Sequence, residues 1–266
     1  MSLAFRWFRP VWLGPCRDVF REVAMDTVDS LLTTVREALA REPRLDLGRY
    51  PIRLWWEWND LGMAGDLPDV ASKKLALERA AAVPGVAHII DQLHVIPDRR
   101  LPDGAVLEHV CRDLLAEPAL QPFTLRSRGG DEVRTWRDAG GEARGAIEVR
   151  VEDGVVTLDG DVTGLGHKRL AGVLAWWVPG VRDVVNGLGV SPREQDNDGE
   201  MADGVRLVLE KDPLVSTESV SISSRSGVVT LTGAVGSDAA REAAERDAWC
   251  VWGVDRVENQ LVVSAR

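Results

Sequence analysis

The sequence contains few of the residues from which catalytic and metal sites are usually built. Its 266 residues include three cysteines and four histidines. Cys16, Cys111 and Cys250 are far apart, which excludes a disulfide framework and the paired spacing of a zinc site. The histidines form no pair at helical spacing, and no Gly-x-Ser-x-Gly elbow, Walker loop or His-Glu-x-x-His motif occurs. We therefore expect no catalytic residues, no metal and no cofactor.

Long apolar runs and net positive charge are also missing. No stretch approaches the roughly 18 to 20 apolar residues of a membrane span, and Arg6, Arg9 and Pro10 interrupt the apolar region that a signal peptide needs. The net charge of −10 argues against nucleic acid as the main partner, because phosphate binding requires a basic surface. We expect a cytoplasmic protein that can contact the inner membrane peripherally, with the periplasm as the alternative location.

The sequence does contain an internal repeat. The string GVVTLDGDV at 154–162 recurs as GVVTLTGAV at 227–235, and GVRDVVNGL at 180–188 recurs as GVDRVENQL at 253–261. Both strings recur at the same offset of 73 residues (227 − 154 and 253 − 180). A weaker copy, GVAHIIDQL at 85–93, lies 95 residues upstream of its counterpart (180 − 85). Three tandem units are therefore predicted.

Each unit predicts the same order of elements. Ile147, Val149 and Val151 alternate with charged residues, which is typical of a half-buried strand, and Asp153-Gly154 is a hairpin signal. A helical stretch follows and ends at Pro179-Gly180, before a last alternating strand. A helix precedes the first strand of each copy, at 28–40, 105–116 and 201–211. The predicted fold class is α+β, with three tandem α-β-β-α-β modules, each a small mixed three-stranded sheet covered by two helices.

The repeat also predicts the division of the chain. We expect a basic-aromatic segment at 1–25, a degenerate first module at 26–97, a second module at 101–190, an acidic linker at 191–200 and a third module at 201–264. The larger offset between the first two copies predicts an inserted polar loop near 126–145 of the second module.

These strings resemble the BON domain family, the bacterial osmotic-shock and nodulation domain. The family pattern has a Gly-Val-Val-x-Leu-x-Gly-x-Val hairpin, an alanine-rich helix and then Gly-Val-x-x-Val-x-Asn-x-Leu. Copies two and three match closely, whereas the first is degenerate and has Asp91 at the Asn position. The resemblance implies a non-enzymatic module that binds phospholipid surfaces or other hydrophobic ligands, often in the cell envelope and under osmotic stress.

The repeated glycines and asparagines are predicted to be structural. Gly154 and Gly227 each join two strands, whereas a phosphate-binding loop leads from a strand into a helix. The asparagines are expected to satisfy backbone groups at a strand end. The positions with this predicted role are Gly154, Gly160, Gly180, Asn186, Gly227, Gly233, Gly253 and Asn259.

Ten tryptophans are the unusual feature of the composition. Trp176, Trp177, Trp249 and Trp252 lie at the end of the second helix in copies two and three, at positions that are mostly polar in the family pattern. We expect these four rings to form the main contact surface for a ligand or a partner. Packing between neighbouring modules is the alternative.

Two other aromatic groups carry predictions. Trp56 and Trp58 share a strand face with Ile52 and Leu54, so they are expected in the core, with Trp55 on the opposite face. Near the N-terminus, aromatic and basic side chains alternate in a way that suits a membrane interface. The membrane-interface candidates are Trp7, Phe8, Trp12, Arg6 and Arg9.

Two functions from different classes remain open at this point. The first is a non-catalytic binding protein for phospholipid surfaces or another hydrophobic ligand, acting in envelope or osmotic stress. The second is a protein–protein scaffold or self-assembling protein, in which repeated modules give avidity.

Overall fold

The computed structural model describes residues 16–130, 132–194 and 196–264, with side chains from Val28 onward except at 142. The helices are α1 (Cys16–Ala40), α2 (Val70–Ala81), α3 (Asp103–Ala116), α4 (Leu165–Trp176), α5 (Asp198–Leu209) and α6 (Asp238–Cys250). The strands are β1 (Arg53–Glu57), β2 (Asp60–Leu67), β3 (Ile89–Val95), β4 (Thr124–Gly129), β5 (Glu132–Arg137), β6 (Ala146–Glu152), β7 (Val155–Val162), β8 (Asp183–Asn186), β9 (Gly189–Val190), β10 (Val220–Arg225), β11 (Val228–Val235) and β12 (Arg256–Val263). None of the helices in these ranges combines the length and the apolar character that crossing a bilayer requires.

The strands form three separate mixed sheets, one in each module. The first has the order β1-β2-β3 and the last has the order β10-β11-β12. In each, the first two strands are an antiparallel hairpin and the third strand is parallel to the second. The middle sheet has the order β5-β4-β6-β7-β8, with β9 also paired to β7. The predicted α+β class with three tandem modules is confirmed, and each sheet has its own hydrophobic core.

The hairpin turn has the same backbone geometry in all three modules. In all three modules, the two residues at the tip have positive φ: Trp58-Asn59, Asp153-Gly154 and Ser226-Gly227. This is the geometry of a two-residue type I′ turn, which matches the twist of the flanking strands. Trp58 therefore lies in a turn and is 90% exposed, so its predicted core position is wrong. Trp56 does pack against the core of the first module.

Two repeated glycines allow neighbouring backbones to approach closely. Gly160 and Gly233 have φ of 118° and 111°, in the region that favours glycine. A Cβ atom at either position would overlap the carbonyl oxygen of the opposite strand, that of Ala146 or Ser219. The structural role predicted for this part of the repeat therefore has a physical cause.

The segment predicted as an inserted polar loop forms a hairpin instead. Strands β4 and β5 extend the middle sheet, with β4 parallel to β6. Trp136 of β5 packs against the core of the second module, so the insertion adds to that core. Trp136 Nε1 donates a hydrogen bond to Ser127 Oγ at 2.8 Å across the hairpin. The glycines that suggested a loop lie largely at its turns, because Gly130 and Gly140 have positive φ.

Candidate functional site

The three modules meet at their second helices, where α6 contacts both α2 and α4. Helix α6 presents small buried residues to this junction, including Ala243 and Ala244. Leu75 of α2 and Val173 of α4 belong to the same hydrophobic cluster as the core of the third module. The junction is therefore a continuation of the core of the third module, and the modules pack against one another.

Two cations from equivalent repeat positions attach the first and second modules to one turn of the third. Lys74 Nζ, on α2, donates to the carbonyl oxygens of Val251 and Val254 at 3.0 and 2.8 Å. Arg169, on α4, lies 95 residues further along (169 − 74) and donates through Nε to Trp252 O at 3.3 Å. Both helices thus donate to carbonyl groups of the tight turn after α6, of which Val251 O also accepts from the Val254 backbone N–H.

Arg169 is the most deeply buried charged side chain at the junction, with 1% of its surface exposed. Its Nη2 lies 2.6 Å from Asp196 Oδ1, and its Nη1 donates to Glu200 O at 3.1 Å. A Cβ on Gly204 would come within 2.8 Å of the Arg169 side chain, so this glycine on α5 leaves room for the arginine. The guanidinium holds the segment before α5 and the turn after α6 together.

A second buried cation joins the first two modules. Lys73 Nζ forms ion pairs with Asp91 at 3.0 Å and Asp183 at 2.6 Å, and donates to Leu93 O at 2.7 Å. Asp91 occupies the Asn position of the repeat. In the other copies Asn186 and Asn259 donate instead to backbone carbonyls of the preceding helix. The departure of the first copy from the family pattern thus gives Lys73 a counter-ion.

The four tryptophans predicted as a contact surface have different environments. Trp249 is 2% exposed and lies in the core of the third module. Trp177 packs against the same core, and its Nε1 donates to Asp247 Oδ1 at 2.8 Å. Trp177 therefore contributes to the contact between the second and third modules, whereas Trp249 is part of the core of the third. Trp176 and Trp252 instead line a cleft.

Asp247, at the contact between the second and third modules, has a carboxyl group with a raised pKa. It is 3% exposed. Burial and the neighbouring carboxyl of Asp212 raise the pKa of Asp247 to about 7, although the hydrogen bond from the indole N–H of Trp177 acts in the opposite direction. The side chain is therefore substantially protonated near neutral pH, which reduces the repulsion between the two neighbouring carboxyl groups.

The cleft lies between all three modules and has a volume of about 750 Å³. Its apolar lining is Val70, Leu77, Ala81, Ile89, Gly172, Trp176, Val184, Val185, Trp252, Gly253 and Val254. Its polar lining is Lys73, Lys74, Glu78, Asp91, Asp183, Asn186, Cys250 and Asp255. Val185 and Trp252 are 49% and 40% exposed, so the cleft is open to solvent on their side.

Burial shifts the pKa of two groups that line the cleft. Burial lowers the pKa of Lys74 to about 8, with Cys250 and Asp255 opposing that change. Burial raises the pKa of Cys250 to about 12, so this thiol is not a reactive thiolate at neutral pH. The arrangement offers binding groups, and the described residues contain no set of three or more metal-ligating side chains close together.

Sequence reasoning did not identify Lys73, Lys74 or Arg169 as functional. The sequence does hold one signal for them, because Lys74 and Arg169 occupy the same repeat position on a helix that is otherwise rich in alanine. The N-terminal candidates Trp7, Phe8, Trp12, Arg6 and Arg9 lie outside the described residues.

The fold and the junction define a class of protein, an array of small α/β modules that share one cleft. Residues 138–192 and 197–265 match the family model of the BON domain. The chain therefore carries two tandem stretches that match the BON domain. The first module has the same element order but lies outside the matched ranges. The family match points to a non-enzymatic protein with a binding or scaffold role.

Comparisons with other proteins add little beyond the family. Two solved structures of CdsD, a structural protein of the type III secretion system of Chlamydia trachomatis, are similar to this chain, each at 14% identity and a TM-score of 0.23. The first, of its C-terminal domain, covers 88% of this chain and 97% of that chain, and the second covers 89% and 93%. A TM-score of this size supports no conclusion about the arrangement of the modules or their function. No curated protein matches the sequence significantly.

Proposed function

We propose that the protein is a non-catalytic binding protein whose three modules together hold a hydrophobic or amphipathic ligand in the cleft between them. The observation that carries this proposal is that Trp176 of the second module and Trp252 of the third both line a single cleft of about 750 Å³. That volume is within the range of small-molecule sites, which are mostly apolar and often lie where domains meet.

The junction favours a ligand site that is already formed before binding. Lys73, Lys74 and Arg169 fix the relative positions of the helices that carry the lining. A site that does not have to be ordered during binding loses less free energy to immobilisation. One module alone supplies only part of the lining, so the cleft is a property of the array.

Titration of the full chain with Nile red, a neutral apolar dye, tests this proposal. Trp252→Ala should weaken dye binding by about tenfold, because one buried aromatic contact contributes on the order of 1.4 kcal/mol or more. Trp176→Ala should act in the same direction, with thermal unfolding recorded to check the fold. Trp58→Ala is the matched control, since Trp58 is 90% exposed and does not line the cleft. If all three variants bind the dye as tightly as the parent protein does, the proposal is refuted.

The family resemblance further proposes a phospholipid surface as the ligand. Flotation of the full chain with anionic and with neutral liposomes tests it, and protein that stays at the bottom of the gradient with both would count against it. The predicted cytoplasmic location and its periplasmic alternative remain predictions, which fractionation of cells that express the protein would separate.

A scaffold role is the second candidate, and the last strand favours it. Strand β12 is an edge strand, and Val262 and Val263 at its end are 61% and 41% exposed. Open edge strands pair readily with another chain. Light scattering after size exclusion should then show self-association that Val262→Lys removes. A monomer over the accessible concentration range would remove this support.

A further inference from the structure

The cleft is bordered by two strands that lie at the ends of their sheets. Strand β3 ends the first sheet, and β8 ends the path of paired strands through the middle sheet. Ile89 and Asp91 of β3 line the cleft, and so does all of β8, from Asp183 to Asn186. Edge strands carry backbone N–H and C=O groups that have no partner in their own sheet. The cleft therefore offers backbone hydrogen-bonding groups in addition to its apolar lining.

The backbone groups of β3 that face away from its sheet can be identified from one hydrogen bond. Ile96 N–H donates to Leu67 O at 2.8 Å within the first sheet. Neighbouring residues of a strand direct their backbone groups to opposite sides. Ile89 and Asp91 therefore direct their N–H and C=O groups away from β2, on the outer side of the sheet.

The same reasoning applies to β8. Gly187 N–H donates to Leu158 O at 2.8 Å within the middle sheet, so Val184 and Asn186 direct their backbone groups away from β7. The side chain of Asp183 accepts from Val184 N–H at 2.9 Å. The carbonyl of Val184 and both backbone groups of Asn186 therefore lie on the free edge, at residues that line the cleft.

The two edges are already joined at one end of the cleft. Val95 N–H, at the end of β3, donates to Arg182 O, just before β8, at 2.7 Å. Lys73 closes the next part of the gap, because its Nζ donates to Leu93 O and forms an ion pair with Asp91. Beyond this lysine the pairing between the modules stops and the cleft begins. A further strand in the cleft would thus continue an existing contact between two modules.

We infer that the cleft binds an extended peptide segment, which adds a strand to the free edge of β8. Backbone hydrogen bonds to Val184 and Asn186 provide affinity, and alternate apolar side chains of the peptide enter the lining beside Trp252. The added strand also covers Val185, which is 49% exposed. A segment of about five residues suffices, because β8 has 4 residues. This inference rests on the proposed ligand site and specifies the chemical class of its ligand.

Displacement of bound Nile red from the full chain by acetyl-Thr-Val-Thr-Val-Thr-amide tests the inference. The control peptide is N-methylated at every residue, which keeps the side chains and removes the backbone donors. We expect the parent peptide to bind at least about tenfold more tightly than the methylated one, because several backbone hydrogen bonds are lost.

Amide hydrogen exchange, followed by nuclear magnetic resonance, locates the added strand. Exchange of the Asn186 N–H should slow by about tenfold or more at saturating peptide, because that group becomes hydrogen-bonded. Asn259 is the matched control, since it has the same repeat position (259 − 186 gives 73) on the edge strand β12 and does not line the cleft.

The outcomes separate this inference from the proposal beneath it. Nile red binding that the peptide does not displace would overturn the strand addition and leave the cleft as a ligand site, whereas binding of neither probe would overturn both. Equal affinity of the two peptides would mean that apolar contact is sufficient, which overturns the inference. Equal slowing of exchange at Asn186 and Asn259 would mean that the peptide pairs with any open edge, and it would also overturn the inference.

Discussion

Replacing Arg169 by methionine should separate the third module from the second. The change keeps much of the apolar stem and removes a guanidinium that is 99% buried (1% exposed). It leaves Glu200 O and Trp252 O without their donor and Asp196 without its ion pair. Hydrogen bonds from a charged donor are worth about 1.5 to 3 kcal/mol each, and Asp196 is exposed, so its carboxylate can be hydrated once the arginine is gone. We therefore expect the free energy of unfolding to fall by about 3 to 5 kcal/mol.

Urea denaturation followed by circular dichroism and tryptophan fluorescence measures this loss. The two signals should coincide in the parent protein and diverge in Arg169→Met, because the third module would then unfold on its own. Arg150→Met is the control, since Arg150 is 49% exposed and its ion pair with Asp159 should contribute less than about 1 kcal/mol. A loss for Arg169→Met no greater than that of the control would refute the view that this arginine couples the modules.

Two further predictions follow from the structure. The pKa of Asp247 is about 7 in the folded protein and 3.8 for an ordinary aspartate, so the free energy of unfolding should fall as the pH rises from 4 through 7, by up to about 4 kcal/mol. Asp247→Asn should flatten this dependence in denaturation series at pH 5 and 8, and an unchanged slope would contradict the assignment. Gly233→Ala should lower the free energy of unfolding by about 2 kcal/mol or more, because the new Cβ would overlap Ser219 O and because Gly233 has a positive φ. Thermal unfolding measures this loss, with Gly236→Ala as the control, since a Cβ added at Gly236 has open space.

The fold could be predicted from the repeat because the repeated residues determine local structure, namely turns and contacts between adjacent strands. Gly160 and Gly233 determine a contact between adjacent strands, and a type I′ turn follows from two residues. The error at Trp58 came from extending a strand pattern through a turn. The same offset of 95 that relates the copies puts Asn59 at the position of Gly154 (154 − 59), and this alignment would have placed Trp58 in the turn.

The candidate site was only half predictable because it depends on packing between distant parts of the chain. Trp176 and Trp249 occupy one repeat position (249 − 176 gives the offset of 73), and sequence reasoning gave them one role. The structure places Trp176 at the cleft of all three modules and Trp249 in a core beside the first module. The hairpin of β4 and β5 was missed for a related reason, since its strand partner β6 lies beyond an intervening turn.

Divergence among the copies explains why the array forms one cleft and not three equivalent ones. The position of Lys74 and Arg169 is occupied by Glu242 in the third copy, where the side chain is exposed. Three cations at this position would repel one another where α2, α4 and α6 converge. Two cations can instead share the single turn at 251–254, whose carbonyls accept from both. The third module thus supplies the acceptor, the other two supply the donors, and the cleft exists only where these unlike copies meet.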